Sequence, residues 1–347
     1  MFPSLEGRDR GRVNLFILLF LACLLLCSCS PRKERVFKKS KITMDTVVAI
    51  TVISDAEDRA DRAIDAAFSR IDALDKTLNF FSDTSELSRI NAQAGVAPVT
   101  VSSETVEVIA RAVDTSAKTE GAFDVTVGPE IMLWDFVAKT MPDEKTVKER
   151  LPLVNYRNIL IDKEKSTVFL TQRGMRADLG AIAKGFAADK AVEELKRQGI
   201  RAGLVAVAGD IRAFGLKPDG SGWKVGIRNP RTSGKDDDEI LATTELRDMA
   251  ISTSGDYERY FIKDGVRYHH ILDPKTGYPA GRSRSATVIA KEGTDTDSFS
   301  TAVFVLGPEK GIRVLEEMGF EGMIIDKDGQ VHATPGLKGR IEFTGKH

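Results

Sequence analysis

Apolar side chains at Ile64, Phe68, Ile71, Leu74 and Leu78 recur three and four positions apart, the spacing that aligns one face of a helix. Before them, Val47 to Ile53 is rich in β-branched residues and reads as a strand. Val106, Ile109, Ala110 and Val113 make a second helical face, which stops near Gly121, where glycine suits a C-terminal cap. Two strand-like runs, Asn158 to Asp162 and Thr167 to Thr171, flank the polar turn Lys163 to Ser166 and predict a hairpin. After Asp178 a long helix carries Ile182, Phe186, Val192 and Leu195 on its apolar face and ends before Gly199. Further strands are expected at Gly203 to Ile211, Trp223 to Arg228, Ala250 to Thr253, Arg267 to Leu272 and Ala286 to Ala290. A helical pair from Thr294 to Met318 and a strand near Met323 to Ile325 close the chain. There is no short repeat, low-complexity segment or second linker, so the pattern predicts one α+β unit, or two fused subdomains of mainly antiparallel sheet with packed helices.

The first residues follow another pattern. Arg8, Arg10 and Arg12 precede an apolar run from Val13 to Leu26, followed by small residues and cysteines, which is a secretory signal pattern. That run is shorter than the roughly twenty residues a membrane-spanning helix needs, so export with cleavage is expected. All three cysteines, Cys23, Cys27 and Cys29, lie in or just after it, which leaves the body without a disulfide or a cysteine zinc site. Leu26-Cys27-Ser28-Cys29 resembles a bacterial lipobox, with Cys29 as the lipidated residue. The expected organisation is a signal peptide over 1–28, a basic tether over 29–40 and a catalytic domain over 41–347. Such a protein would sit on the periplasmic side of a bacterial envelope membrane, held by its lipid. Fifty basic residues against fifty-one acidic ones provide no field for nucleic acid.

Within the body, a few segments carry chemistry. In Asp178-Leu-Gly-Ala-Ile-Ala-Lys184-Gly185 a strand runs into a helix whose free N–H groups and lysine could cradle a diphosphate, although a helix start with a solvated lysine reads equally well. His269-His270-Ile271-Leu-Asp273-Pro-Lys-Thr276-Gly277 puts imidazoles at a strand end before a tight reversal. The chain has four histidines, too few and too scattered for a three-histidine metal site. Asp297 and Thr301, four apart on a helix, share a face and suit a hard cation such as magnesium, unless Asp297 or Asp295 merely caps the helix.

Their joint order is more telling. Met44-Asp-Thr, Phe81 with Ser85-Glu-Leu-Ser-Arg-Ile-Asn91, Gly121-Ala122-Phe123-Asp124, Asp178 to Gly185, Gly209-Asp210, Ser252-Thr-Ser-Gly255, His270 to Gly277 and Asp297-x-x-x-Thr301 closely resemble the ApbE family of FAD:protein FMN transferases, over about Lys41 to Gly336. The resemblance implies an enzyme that binds FAD and magnesium and moves FMN to a threonine or serine of exported or membrane flavoproteins, such as respiratory electron-transfer subunits. It implies that Met44, Phe81, Ala122, Phe123, Asp124, Asp178, Lys184 and Ile271 contact FAD. Ala181 by its carbonyl, Asp297 and Thr301 would hold the metal, and His270 would be the base, with Asp273 as partner or substitute. His269 is the internal contrast, since neighbours on a strand point to opposite faces. Three positions depart from the family pattern: Phe81 replaces a tyrosine, Ala206-Val-Ala-Gly209-Asp210 replaces Asn-Ala-Gly-Gly-Asp, and Asp45 replaces a common glycine. The same site could serve an FAD pyrophosphatase, and a flavin-binding lipoprotein without chemistry is the third reading.

Overall fold

Residues 33–231 and 239–344 are described by the structure, a computed structural model. The expected signal peptide and the three cysteines, Cys29 included, lie outside them. The second half of the expected tether is not a free linker: Arg35–Thr43 is strand β1, paired with β2 (Thr46–Ser54) from Arg35↔Ser54 to Thr43↔Thr46. Its stability comes from that backbone ladder, which needs few apolar side chains at a sheet edge, and lysines are a common guard on such an edge. Here Lys39 pairs with Asp61 and Asp65, and Lys41 with Asp72, on the helix that follows.

That helix is α1 (Glu57–Leu78), and Ile64, Phe68, Ile71, Leu74 and Leu78 are buried on its inner face as their spacing predicts. Next come α2 (Glu86–Ala92), β3 (Val99–Thr100), α3 (Ser103–Lys118), α4 (Gly128–Ile131) and α5 (Glu144–Arg150). The expected hairpin is β4 (Ile159–Asp162) with β5 (Thr167–Leu170), and the helix after Asp178 is α6 (Ala183–Arg197). The run Gly203 to Ile211 is two strands, not one: β6 (Gly203–Val207) turns through Ala208, at φ 54°, into β7 (Asp210–Phe214). Then follow β8 (Trp223–Arg228), β9 (Ile240–Leu246), β10 (Ala250–Gly255), β11 (Tyr260–Lys263) and β12 (Val266–His269). Strand β12 stops short of the expected Leu272 because Ile271 and Leu272 leave the ladder to be buried, with the Ile271 carbonyl accepting from Ala280 N at 3.0 Å. The chain finishes with β13 (Ser283–Ala290), α7 (Gly293–Leu306), α8 (Pro308–Met318), β14 (Glu321–Asp326), β15 (Val331–Ala333), α9 (Pro335–Lys338) and β16 (Ile341–Phe343). Gly307, at φ 78° before Pro308, divides the expected helical pair.

The main sheet has the order β1-β2-β6-β7-β10-β13-β14-β15, with antiparallel neighbours throughout. One of its faces packs under α1 and α6, where Val48, Ile50 and Val205 meet Ile64, Phe186 and Leu195, and under α7 at Ala286 and Val288. The other face, with Ile53, Ala213, Ile251 and Ile289, is covered by β8 and β9 of a small sheet through Val225, Ile227 and Ala242. The expected α+β class holds. Helices α6 and α7 therefore lie side by side over β7 and β10, in contact through the first turns of each.

Candidate functional site

Two glycines make the site. A Cβ built on Gly185 would lie 2.0 Å from the Gly293 carbonyl oxygen, and one on Gly293 would lie 2.7 Å from that of Gly185. Helices α6 and α7 thus touch backbone to backbone near their starts. The contact brings Lys184 and Asp297 face to face: Asp297 accepts the Gly185 N–H at 2.9 Å and lies 3.3 Å from Lys184 Nζ. The hairpin turn at Ala208-Gly209 delivers a third group, Asp210, whose carboxylate pairs with the same ammonium. Both aspartates are buried.

Two carboxylates sharing one ammonium leave the cluster short of positive charge. Burial, then the neighbouring Asp210, pushes the Asp297 carboxyl up, against the pull of Lys184. Burial pulls the Lys184 ammonium down, yet the two aspartates outweigh it and hold it above its usual range. Oxygen donors lie beside the cluster. Because the Gly185 N–H goes to Asp297, no group among the described residues donates to the Ala181 carbonyl. One turn beyond Asp297, Thr301 shares a hydroxyl contact of 3.0 Å with Ser254. Among the described residues no three histidine, cysteine or acidic side chains gather as a metal cage. An ion here would have to combine carboxylate with carbonyl and hydroxyl oxygens, a donor set that fits a hard cation.

The histidines divide as strand alternation predicts. His269 is buried, with Nε2 2.9 Å from the Ala280 carbonyl and Nδ1 accepting from Ile271 N at 3.3 Å, so its ring pins the turn. His270 faces the other way. Its Nδ1 lies 3.3 Å from the Arg259 carbonyl, which can only accept, so Nδ1 carries the proton and Nε2 keeps a free lone pair. Burial, then the charge of Arg259, pushes its pKa down to about 3, with Lys184 adding a smaller push. His270 is therefore a neutral base within the field of the lysine cluster. Asp273 is not joined to it: that carboxylate accepts from Lys275 N at 2.9 Å and shapes its own turn.

The remaining expected residues fall into two groups. Met44, at φ 54° in the β1–β2 turn, gives its N–H to Asp75, Asp75 accepts from Asn79, and Asn79 accepts the N–H of Phe81 at 2.8 Å. This relay fixes Phe81, a residue 71% exposed whose ring stands edge-to-face with that of Phe80, open for a flat ligand. In contrast, the side chains of Ala122, Phe123 and Ile271 are in the core, so any ligand contact from them falls to the backbone. Asp124 spends one oxygen on Thr126 and the other on Tyr156 N at 2.9 Å. Among the described residues Asp178 accepts only from Gly180 N, at 2.6 Å, and burial raises its carboxyl.

Three further residues belong here that sequence reasoning left without a role. Asp210 stood in a motif inside an expected strand, and Ser254 in a run of small residues. Arg259 had no signal at all: its guanidinium forms no ion pair among the described residues, while its charge bears on both Asp178 and His270. Asn91, also part of a motif, holds the segment before Asp178, which is a loop with one isolated bridge at Arg176 and not the expected strand, by bonding both Ala177 N and O.

This arrangement has relatives. A "FAD:protein FMN transferase" of Treponema pallidum is 36% identical over 344 residues, covering 92% of this chain and 94% of that one. One of Klebsiella pneumoniae is 34% identical, covering 82% and 87%. The crystal structure of the ApbE protein of Thermotoga maritima superposes with a TM-score of 0.81 at 33% identity, over 88% of this chain and 98% of that one. The apo flavinyl transferase ApbE of Pseudomonas stutzeri gives 0.79 at 29% identity, over 92% and 100%. The sequence profile of the ApbE family matches residues 44–324, which include every side chain of the site described above, and the chain belongs to that family.

Proposed function

We propose that this protein transfers the FMN half of FAD to a threonine or serine hydroxyl of an exported or membrane flavoprotein, such as a respiratory electron-transfer subunit, and releases AMP. FMN transfer from FAD to protein is what the relatives are named for. The observation that carries the reading here is the buried cluster of Lys184, Asp210 and Asp297 at the start of two helices. Its missing positive charge, beside the open Ala181 carbonyl and Thr301, suits magnesium or another hard divalent cation held by Ala181, Asp297 and Thr301. When bound, such an ion withdraws charge from phosphate oxygens.

The other steps fall to the chain. The exposed Phe81 ring, steadied from Met44, offers a stacking face for the flavin. Arg259, unpaired by any carboxylate among the described residues, can take a phosphate oxygen. Lys184 balances the two aspartates and keeps Asp297 from being left as an uncompensated charge. The acceptor oxygen bonds to the FMN phosphorus as the bond from that phosphorus to the bridging oxygen breaks. AMP leaves with the electron pair, and the hydroxyl proton passes to Nε2 of His270. An arriving diphosphate stabilises the imidazolium and so strengthens this base.

The test is to incubate the purified protein with FAD, magnesium and an acceptor protein. FMN bound to the acceptor supports the transfer. Free FMN with AMP, and none on any acceptor, would make the protein an FAD pyrophosphatase, and unchanged FAD would leave a flavin-binding protein. We further propose that Cys29 carries a lipid that holds the enzyme on the periplasmic side of the envelope. Cys29→Ala should then move the protein from the membrane fraction to soluble or unprocessed forms, and unchanged attachment with normal processing would refute the anchor.

A further inference from the structure

Helix α7 carries Asp297 and yet does not cap itself. Glu292, the residue before it, contributes no side-chain cap and pairs with Arg111 at 2.7 Å instead. The cap comes from another helix. Asp189 of α6 accepts the N–H groups of Gly293 and Thr294, both at 2.8 Å, and the Thr294 hydroxyl at 2.7 Å. Across from it Arg212 Nε stands 3.2 Å away, with only 9% of its side chain exposed.

These three groups repeat the site one step along the same three elements. Asp189 follows Gly185 by one helical turn on α6, Arg212 follows Asp210 by two residues on β7, and Gly293 and Thr294 precede Asp297 by about one turn on α7. Spacings of four on a helix and two on a strand keep side chains on one face. The charges are reversed: a lysine between two aspartates in the site, an aspartate between an arginine and a helix N-terminus beside it. A cap supplied by a helix's own N-cap residue would stabilise α7 anywhere. A cap supplied by α6 stabilises α7 only in the register where Gly185 meets Gly293 and Asp297 meets Lys184.

We infer that Asp189 is a positioning residue, which locks α7 onto α6 and β7 and so sets where the Asp297 carboxylate sits in the site. The inference rests on the metal-dependent reading above for its binding readout, though not for its geometry. Partners that orient a metal ligand typically change affinity by about tenfold to a hundredfold when removed.

The experiment measures Mn2+ binding by isothermal titration, thermal melting, and steady-state kinetics with FAD in the full-length protein and in D189N, T294V and D297A. Asp189→Asn keeps the shape and removes the charge and one acceptor. Expected is a Mn2+ affinity lowered about tenfold or more, a fall in kcat with the KM for FAD changed less than about threefold, and a protein still folded at the assay temperature. Thr294→Val, which removes the hydroxyl bond alone, should show the same split at smaller size, and it stands in if Asp189→Asn does not fold. Wild-type Mn2+ affinity and kcat in both variants would overturn the inference, as would a rate loss that tracks the unfolded fraction. If wild type and Asp297→Ala bind Mn2+ alike, the metal reading fails by itself, and Asp189 is then judged by the split between kcat and KM.

Discussion

Two buried carboxyl groups lie under functional turns of this protein, and they are treated in opposite ways. Asp297, at the start of α7, has an ammonium, a backbone N–H and a second helix arranged around it. Glu130, in α4, is 0% exposed and neither of its oxygens has a hydrogen-bond partner among the described residues. It lies against Gly277, where an added Cβ would come within 2.6 Å of it, in the turn that follows His270 and Asp273. Trp134 holds that same turn by donating to the Gly277 carbonyl at 3.1 Å. Burial pushes the Glu130 carboxyl up to about 7, only slightly relieved by Arg150. Burial raises both carboxyl groups, but at Asp297 an ammonium and a backbone N–H pull against the rise, while at Glu130 only the charge of Arg150 does. The first region presents charged groups, and the second packs beneath a turn.

The same kind of substitution should therefore have unlike effects in the two regions. Asp297→Asn removes the charge the site is organised around, and kcat for FMN transfer should fall about a thousandfold, a loss of several kcal/mol of charge stabilisation. A kcat within tenfold of wild type would erase the distinction drawn above.

Next in size is His270→Ala, expected to lower kcat by at least about a hundredfold while FAD affinity changes much less. His269→Ala, which breaks the bonds to Ala280 and Ile271, should instead lower the melting temperature first. Equal rate losses in the two, measured on folded protein, would end the assignment of Nε2 of His270 as the base.

Arg259→Ala should raise the KM for FAD about tenfold, the worth of one charge-assisted hydrogen bond. Near-normal KM with lower kcat would move Arg259 from binding to the transition state.

Smallest should be Glu130→Gln. With its pKa raised from the ordinary 4.5 to about 7, the folded protein holds a proton that the unfolded chain releases between those values. Stability contributed by this group is therefore greatest below about 4.5, declines as pH rises toward 7 and is level above that. Glu130→Gln removes the decline, so melting curves should show it more stable than wild type at pH 8 and equal to it at pH 4, with kcat little changed. A loss of stability at pH 8 would mean that an ionised Glu130 has a partner the structure does not reveal.

Much of the fold was legible because burial on one face leaves a period in the chain. The α1 face, the apolar side of α6 and the β4–β5 hairpin are found where that period sets them. What misled was local composition without context. The basic stretch around Lys38 and Lys39 has little to pack and reads as a tether, but β1 needs only a neighbour's backbone. The run Gly203 to Ile211 is uniformly strand-like, and only Ala208 in a left-handed conformation reveals the reversal. Asp273 suits a base by its position after His270, and its Asx turn with Lys275 is a contact no spacing announces.

By itself the sequence determined the identity of the chemical groups and the order in which they come: the family motifs, the paired histidines with only one free to face a ligand, the Asp297 and Thr301 pair one turn apart. Only the tertiary structure decided that Lys184 meets Asp210, 26 residues away, and Asp297, 113 residues away, and that Asp189 holds them in that register. The reason is physical. Periodicity tells each helix which side to bury, but which two buried sides meet depends on how closely backbones can approach, and here that was settled where Gly185 and Gly293 leave no room for a side chain.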